Sequence, residues 1–140
     1  MLTDDQRAAV VAEARTWLGT PYHHHARVKG AGVDCAHLLC AVYENAGVTS
    51  PIDPGFYATD WHLHRNEEQY LDWMNRYCDQ VDEPLPGDIV LFRFGRTFSH
   101  SGIVVEGDLV VHAYYGRGAV MNRMTEEPLV GRARVFWRVR

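Results

Sequence analysis

Long apolar runs are absent from this sequence, so no segment reads as a membrane span. An excess of positive charge is absent too. Lys and Arg total 14 against 18 Asp and Glu, a net charge of -4, which argues against a general grip on nucleic acid. Cysteine is scarce. Cys35, Cys40 and Cys78 are an odd number without metal-type spacing, so a disulfide framework is not expected and at least one thiol is free. The start, MLTDDQRAAVV, lacks the basic segment and apolar core of a secretory signal. The expectation is a chain made in the cytoplasm that leaves it only as part of a larger particle. No repeat and no low-complexity linker divides the sequence, so residues 1–140 read as a single domain. What is present is an ordinary globular balance, 46% hydrophobic and 23% charged, enough to build a core without a metal or disulfide staple.

Hydrophobic periodicity predicts helices first and strands afterwards. Thr3 and Gln6 form a T-x-x-Q capping box ahead of a helix over 4–18, with Val10, Val11, Ala14, Trp17 and Leu18 on one face. Gly19 and Pro21 end it. A second helix is expected over 35–46, between Asp34 as N-cap and Gly47 as the C′ residue. Its stripe is Leu38, Leu39, Val42 and Ala46, and Cys35 lies on the same side at the first turn. A third helix is expected over 61–77, capped by Asp60, with Leu63, Tyr70, Leu71, Met74 and Tyr77 inward. After Pro84 and Pro86 the period changes to two, giving strands at 89–94, 101–105, 109–115, 118–123 and 133–139. This order implies an α+β fold, helices packed on a C-terminal antiparallel sheet.

Three residues carry chemical interest. A thiol at a helix start feels the positive end of the helix dipole, which favours thiolate, so Cys35 is a candidate nucleophile. His100 and His112 stand on neighbouring strands and supply a base and an orienting partner. If Glu106-Gly107-Asp108 is the hairpin loop, Gly102 faces His112. His100 and His112 are then same-face diagonal neighbours, roughly 5–8 Å apart between Cβ atoms. A two-residue loop without a bulge would put them on opposite faces. The expected cleft sets the Cys35 sulfur roughly 3–4 Å from His100. From these residues alone, a buried inert cysteine and two unrelated sheet histidines stand as the alternative.

The segments GTPYHHHA (19–26), VDCAHLL (33–39), LPGDIVLF (85–92), SHSGIVV (99–105) and VHAY (111–114) occur in order. Together the five resemble the NlpC-type cell-wall peptidases, a papain-like cysteine peptidase family. A narrower resemblance is to the phage-tail branch of that family. Its features here are the histidine-rich GTPYHHHA, FYATDWHLHRNEEQYL (56–71) and the aromatic RARVFWRV (132–139). The resemblance implies Cys35 as nucleophile, His100 as general base, His112 as the orienting residue and Tyr22 as an oxyanion donor beside the Cys35 N–H. It implies a peptidoglycan stem-peptide substrate, cut at a D-γ-glutamyl-diaminopimelate type bond, and the setting of a phage tail particle with tail-tip proteins as partners. It implies no cofactor or metal.

The family's DCSG reads DCAH here, with Ala36 for serine and His37 for glycine, a departure that bears on substrate contacts beside the thiol. Asp34, Ala36, His37 and Trp61 are the candidate substrate-binding residues, Asp34 being most simply a helix cap. Asp88 reads most simply as a turn residue, Cys40 as core, and Cys78 as packing near the end of the third helix. Arg132, Arg134, Arg138 and Arg140 read as a solvated basic end. Rival functions are a metal protein using His23–His25 or His62 and His64, a non-enzymatic tail-tip component that keeps the fold, and a papain-like amidase or acyltransferase.

Overall fold

The structure, a computed structural model, describes residues 2–49 and 67–140. Among these, α1 spans Asp4–Thr16, β1 Arg27–Val28, β2 Gly32–Val33, α2 Cys35–Asn45 and α3 Glu67–Tyr77. Then come β3 Cys78–Val81, β4 Ile89–Phe94, β5 Thr97–Glu106, β6 Leu109–Tyr114, β7 Gly118–Arg123 and β8 Arg134–Val139. The expected helix over 61–77 is present from Glu67, and its earlier part, with Asp60, Trp61 and Leu63, lies outside the described residues.

The two expected N-caps among the described residues form. The Thr3 side chain accepts from the Gln6 N–H at 3.1 Å while the Gln6 side chain accepts from the Thr3 N–H at 2.9 Å. Asp34 caps α2 by accepting from the His37 N–H at 2.9 Å. Gly47 takes the left-handed conformation, φ 76°, that ends this helix.

β3 through β8 form one antiparallel sheet in the order β3-β8-β4-β5-β6-β7. Its two faces bury separate clusters. Ile89, Leu91, Ile103, Val111, Ala113 and Trp137 pack with Val10, Ala14, Leu38 and Val42 of the helices. Val90, Phe92, Val104 and Val110 pack instead under Met124 and Leu129 of the segment between β7 and β8. Both faces being covered explains the near-continuous burial of β4 through β6.

Three short strands were not legible. β1 and β2 are two-residue strands inside a loop rich in glycine and histidine. β3 follows α3 without a turn residue between them, and it forms because β8 offers it a partner. Cys78, directly after the end of α3 as expected, is also the first residue of that strand, 2% exposed.

Asp88 is also more than a turn residue. Fully buried, it accepts from Arg7 Nη1 at 3.0 Å, from Arg138 Nη2 at 2.8 Å and from the Leu85 N–H at 2.8 Å. Arg138 adds its Nε–H at 3.1 Å, so the pair is bidentate. One carboxylate thus ties α1, the turn before β4, and β8 together. The basic C-terminal end is likewise engaged: Arg140 pairs with Asp79 at 2.9 Å, and the Arg132 guanidinium lies 3.5 Å from the Phe94 ring centre. Replacing Asp88 with alanine strands two arginines at a buried site. The expected loss is about 3–5 kcal/mol of unfolding free energy in urea titration. A loss below about 1 kcal/mol contradicts the tie.

Candidate active site

The β5–β6 register sets the site. Gly102 pairs with His112, as the strand parity requires, and Phe92 of β4 pairs with His100. The expected three-residue loop is corrected in detail. Glu106 pairs with Leu109, so the turn is Gly107-Asp108, and Val105 is left unpaired as a bulge. One extra residue in the strand does what one extra residue in the loop would have done. His100 and His112 therefore share a face, and His100 Nε2 lies 2.8 Å from His112 Nδ1.

The His112 ring is anchored on its far side by Asn122 of β7, whose Oδ1 lies 2.9 Å from His112 Nε2. The His100 ring sits in an aromatic frame. Phe94 is 4.9 Å away between ring centres, Tyr114 5.9 Å and Phe92 6.3 Å. Burial pushes the His100 pKa well below the ordinary imidazole value, and the charges of His112 and Arg132 add to that. Burial likewise lowers His112, against the opposing hydrogen bond from Asn122. Both rings are neutral near pH 7.

Cys35 lies at the start of α2, 7% exposed. Its sulfur is 3.2 Å from the Tyr70 hydroxyl and 3.9 Å from the Ser99 carbonyl oxygen. Tyr70 also meets Ser101 Oγ at 2.7 Å, and Ser101 donates to the Cys35 carbonyl at 3.3 Å. The expected hydrogen bond from thiol to His100 is not among those of the described residues. The thiol instead meets Tyr70. Ser101, next to His100 in β5, takes the contact with the Cys35 backbone. Ser101 faces α2, whereas His100, paired with Phe92 and packed on Phe94, shares the opposite sheet face with His112. The expected placement of the thiol within reach of His100 is therefore corrected: the two groups lie on opposite faces of β5. A second bulge leaves Ser99 unpaired there, between Phe92–His100 and Arg93–Phe98.

The helix start does not win the electrostatic contest at the thiol. Burial pushes the Cys35 pKa up to about 11, with the Asp34 charge adding, while the hydrogen bonds from Tyr70 and Ser101 pull the other way. The expectation of a resting thiolate is overturned: removing a charge from water outweighs about half a unit charge of helix dipole.

Tyr22 is placed by its backbone. The Ala119 N–H donates to the Thr20 carbonyl at 2.8 Å, and the Gly19 N–H donates to the Ala119 carbonyl at 2.9 Å. Gly118, φ 83°, allows this approach, because a Cβ there would strike the Thr20 carbonyl oxygen. Tyr22 then bridges to Val33, and its ring meets Tyr115 edge-on at 5.5 Å. Burial raises its pKa above the ordinary phenol value, and the nearby Cys35 and Asp34 charges raise it further.

The candidate substrate-binding residues fare differently. Asp34 is fully buried, its carboxylate accepting from the His37 N–H, from the His25 N–H at 2.7 Å and meeting His37 Nδ1 at 3.0 Å. Its carboxylate holds the helix start and the histidine loop. Ala36 is buried at the wall of an apolar cavity of about 60 Å3 shared with Leu39, Tyr70 and Met74. His37 is 8% exposed, and Trp61 lies outside the described residues. Among the described residues, no group of three or more His, Cys, Asp or Glu is arranged to hold a metal.

Tyr70, Ser101 and Asn122 were not singled out from sequence as site residues. Tyr70 sat within an apolar helix face and Ser101 within a strand. Asn122 did carry a signal, as a polar residue near the end of a strand adjacent to His112.

A pKa near 11 makes a direct claim on reactivity. Alkylation of Cys35 by iodoacetamide should rise about tenfold per pH unit from about pH 7 to about pH 10, because thiolate is the reacting form. Tyr70→Phe should slow it throughout that range by removing a hydrogen bond that favours thiolate. Peptide mapping after timed labelling reads both, and a plateau below about pH 9 contradicts the raised thiol.

Comparisons with known proteins agree with this architecture. No curated protein matches the chain. A lipoprotein-like NLP/P60 family protein of Staphylococcus aureus superimposes with a TM-score of 0.68 at 20% identity, over 99% of this chain and 42% of that one. NlpC1 of Trichomonas vaginalis gives 0.67 at 20% identity, over 99% and 45%. The NlpC/p60 domain of the peptidoglycan hydrolase SagA gives 0.60 at 21% identity, over 92% and 96%. The chain thus spans less than half of the staphylococcal and trichomonad proteins and nearly the whole SagA domain. The α+β, papain-like fold expected from sequence is the one observed. The family model matches residues 19–138, from the GTPY segment through β8, and on that match the chain belongs to the NlpC/P60 family.

Proposed function

We propose that this domain is a cysteine peptidase of peptidoglycan stem peptides, with Cys35 as nucleophile, His100 as general base and His112 as its orienting partner. The observation that carries this reading is the buried His100–His112 hydrogen bond of 2.8 Å, in a family member whose second helix starts at a cysteine. Family membership and the likeness to the NlpC/p60 domain of the peptidoglycan hydrolase SagA support the substrate class. The finer reading is cleavage of a D-γ-glutamyl-diaminopimelate type bond by a phage tail-associated hydrolase. It rests on the sequence resemblance.

The electrostatics shape the mechanism. With Cys35 a thiol and His100 neutral, the resting site is an uncharged pair. Attack then requires a rearrangement that frees the sulfur from Tyr70 and brings thiol and His100 ring together from opposite faces of β5 as the substrate carbonyl arrives. The imidazole takes the thiol proton while the C–S bond forms, and the carbonyl electrons move onto oxygen. Tyr22 and the Cys35 N–H are the proposed donors to that oxyanion. His100 passes its proton to the leaving amine as the C–N bond breaks. It then takes a proton from water for hydrolysis of the thioester.

Cys35→Ala should lower turnover of defined stem-peptide fragments by about 10⁴-fold or more with circular dichroism unchanged. Cys40→Ala should keep activity. Product mass spectrometry reads both the rate and the bond cut, and a folded Cys35→Ala variant that still hydrolyses these fragments overturns the assignment.

A further inference from the structure

Beyond the histidine pair the hydrogen-bond chain continues through two residues that the proposed triad does not use. Asn122 Oδ1 faces His112 Nε2 at 2.9 Å, and Asn122 Nδ2 donates to Glu126 Oε1 at 3.2 Å. Glu126 is itself held, since the Arg123 N–H donates to the same oxygen at 2.8 Å. The turn that carries it is pinned to Asp108 by the Arg123 side chain at 2.7 Å and the Met124 N–H at 2.8 Å.

These contacts determine proton positions by elimination. A carboxylate only accepts, so the Asn122 NH2 must face Glu126 and its carbonyl oxygen must face His112. That oxygen also only accepts, so His112 carries its proton on Nε2, leaving Nδ1 as acceptor. His100 must then donate from Nε2, which leaves the lone pair on His100 Nδ1, the one ring nitrogen not engaged by His112. We propose that Asn122, oriented by Glu126, is a positioning residue that sets the tautomers of both histidines and leaves the lone pair on His100 Nδ1, the nitrogen on which a general base acts.

This inference rests on the proposed role of His100, yet its main readout does not need activity. Long-range 1H–15N spectra of the histidine rings near neutral pH should show both His112 and His100 protonated on Nε2 only. Asn122→Leu removes the acceptor, so His112 can place its proton on Nδ1 and force the His100 proton onto Nδ1. The ring spectra should show that second tautomer, and stem-peptide turnover should fall roughly tenfold or more because the base nitrogen is blocked. Asn122→Asp keeps an acceptor and should restore the Nε2 protons and most of the turnover. Glu126→Ala, at an exposed position, frees the amide to turn and should give mixed tautomers in a folded protein, which keeps the test decisive if Asn122→Leu does not fold. Wild-type rings protonated on Nδ1, or wild-type tautomers in Glu126→Ala, overturn the inference. Wild-type protein with these tautomers but no hydrolysis of any stem peptide counts against the proposed function and leaves the tautomer assignment standing.

Discussion

The antiparallel pairing of β5 with β6, with Gly102 opposite His112, is the constraint on which the site depends. Each histidine takes its place from strand alternation, so a slip of one residue would send one ring to the other face. Gly102 is what permits the pairing at this point. A Cβ there would strike a Val110 methyl and press on the His112 Cβ. The same face then carries the contact onward to Asn122, because His112 pairs with Val120 and Asn122 lies two residues further along β7. A sheet buried on both faces resists such slippage, which is why a polar chain can be held inside it.

Burial governs the chemistry as strongly as it governs the fold. The environment that orders the histidine rings also removes water from them and from the thiol. It raises the thiol and lowers the imidazoles, so both stay uncharged. Arg132 reinforces this from above Phe94, since its charge disfavours a proton on His100. A neutral thiol resists adventitious oxidation and alkylation, since thiolate is the reactive form. In the proposed reaction the charge appears only when a carbonyl is present to receive it.

The parts of this molecule that announce themselves in sequence are those set by local rules. The T-x-x-Q box, Asp34 before Cys35 and Gly47 after the helix are read from a few adjacent residues, and α1 and α2 form as expected. The parity of β5 and β6 was also legible, and the bulge at Val105 preserved it while changing the turn. What escaped needed a partner from far along the chain. β3 exists because β8 borders it, and Asp88 is a buried anchor because Arg7 and Arg138 arrive from opposite ends of the sequence. Tyr70 met the thiol from a helix whose apolar spacing gave no reason to look at its hydroxyl. The thiol pKa was misread for a similar reason: the helix start is visible locally, whereas the burial that outweighs it is a property of the whole fold.

The account's central claim is that Cys35 forms a covalent bond to a stem-peptide carbonyl. Rapid acid quenching of the protein during turnover of a defined stem peptide, followed by intact-mass and peptide-mapping spectrometry, tests this directly. The account predicts a thioester carrying the acyl half of the substrate on the peptide that contains Cys35, released by hydroxylamine and absent after Cys35→Ala. Steady product release without any such adduct, or an adduct mapped to Cys40 or Cys78, would contradict it.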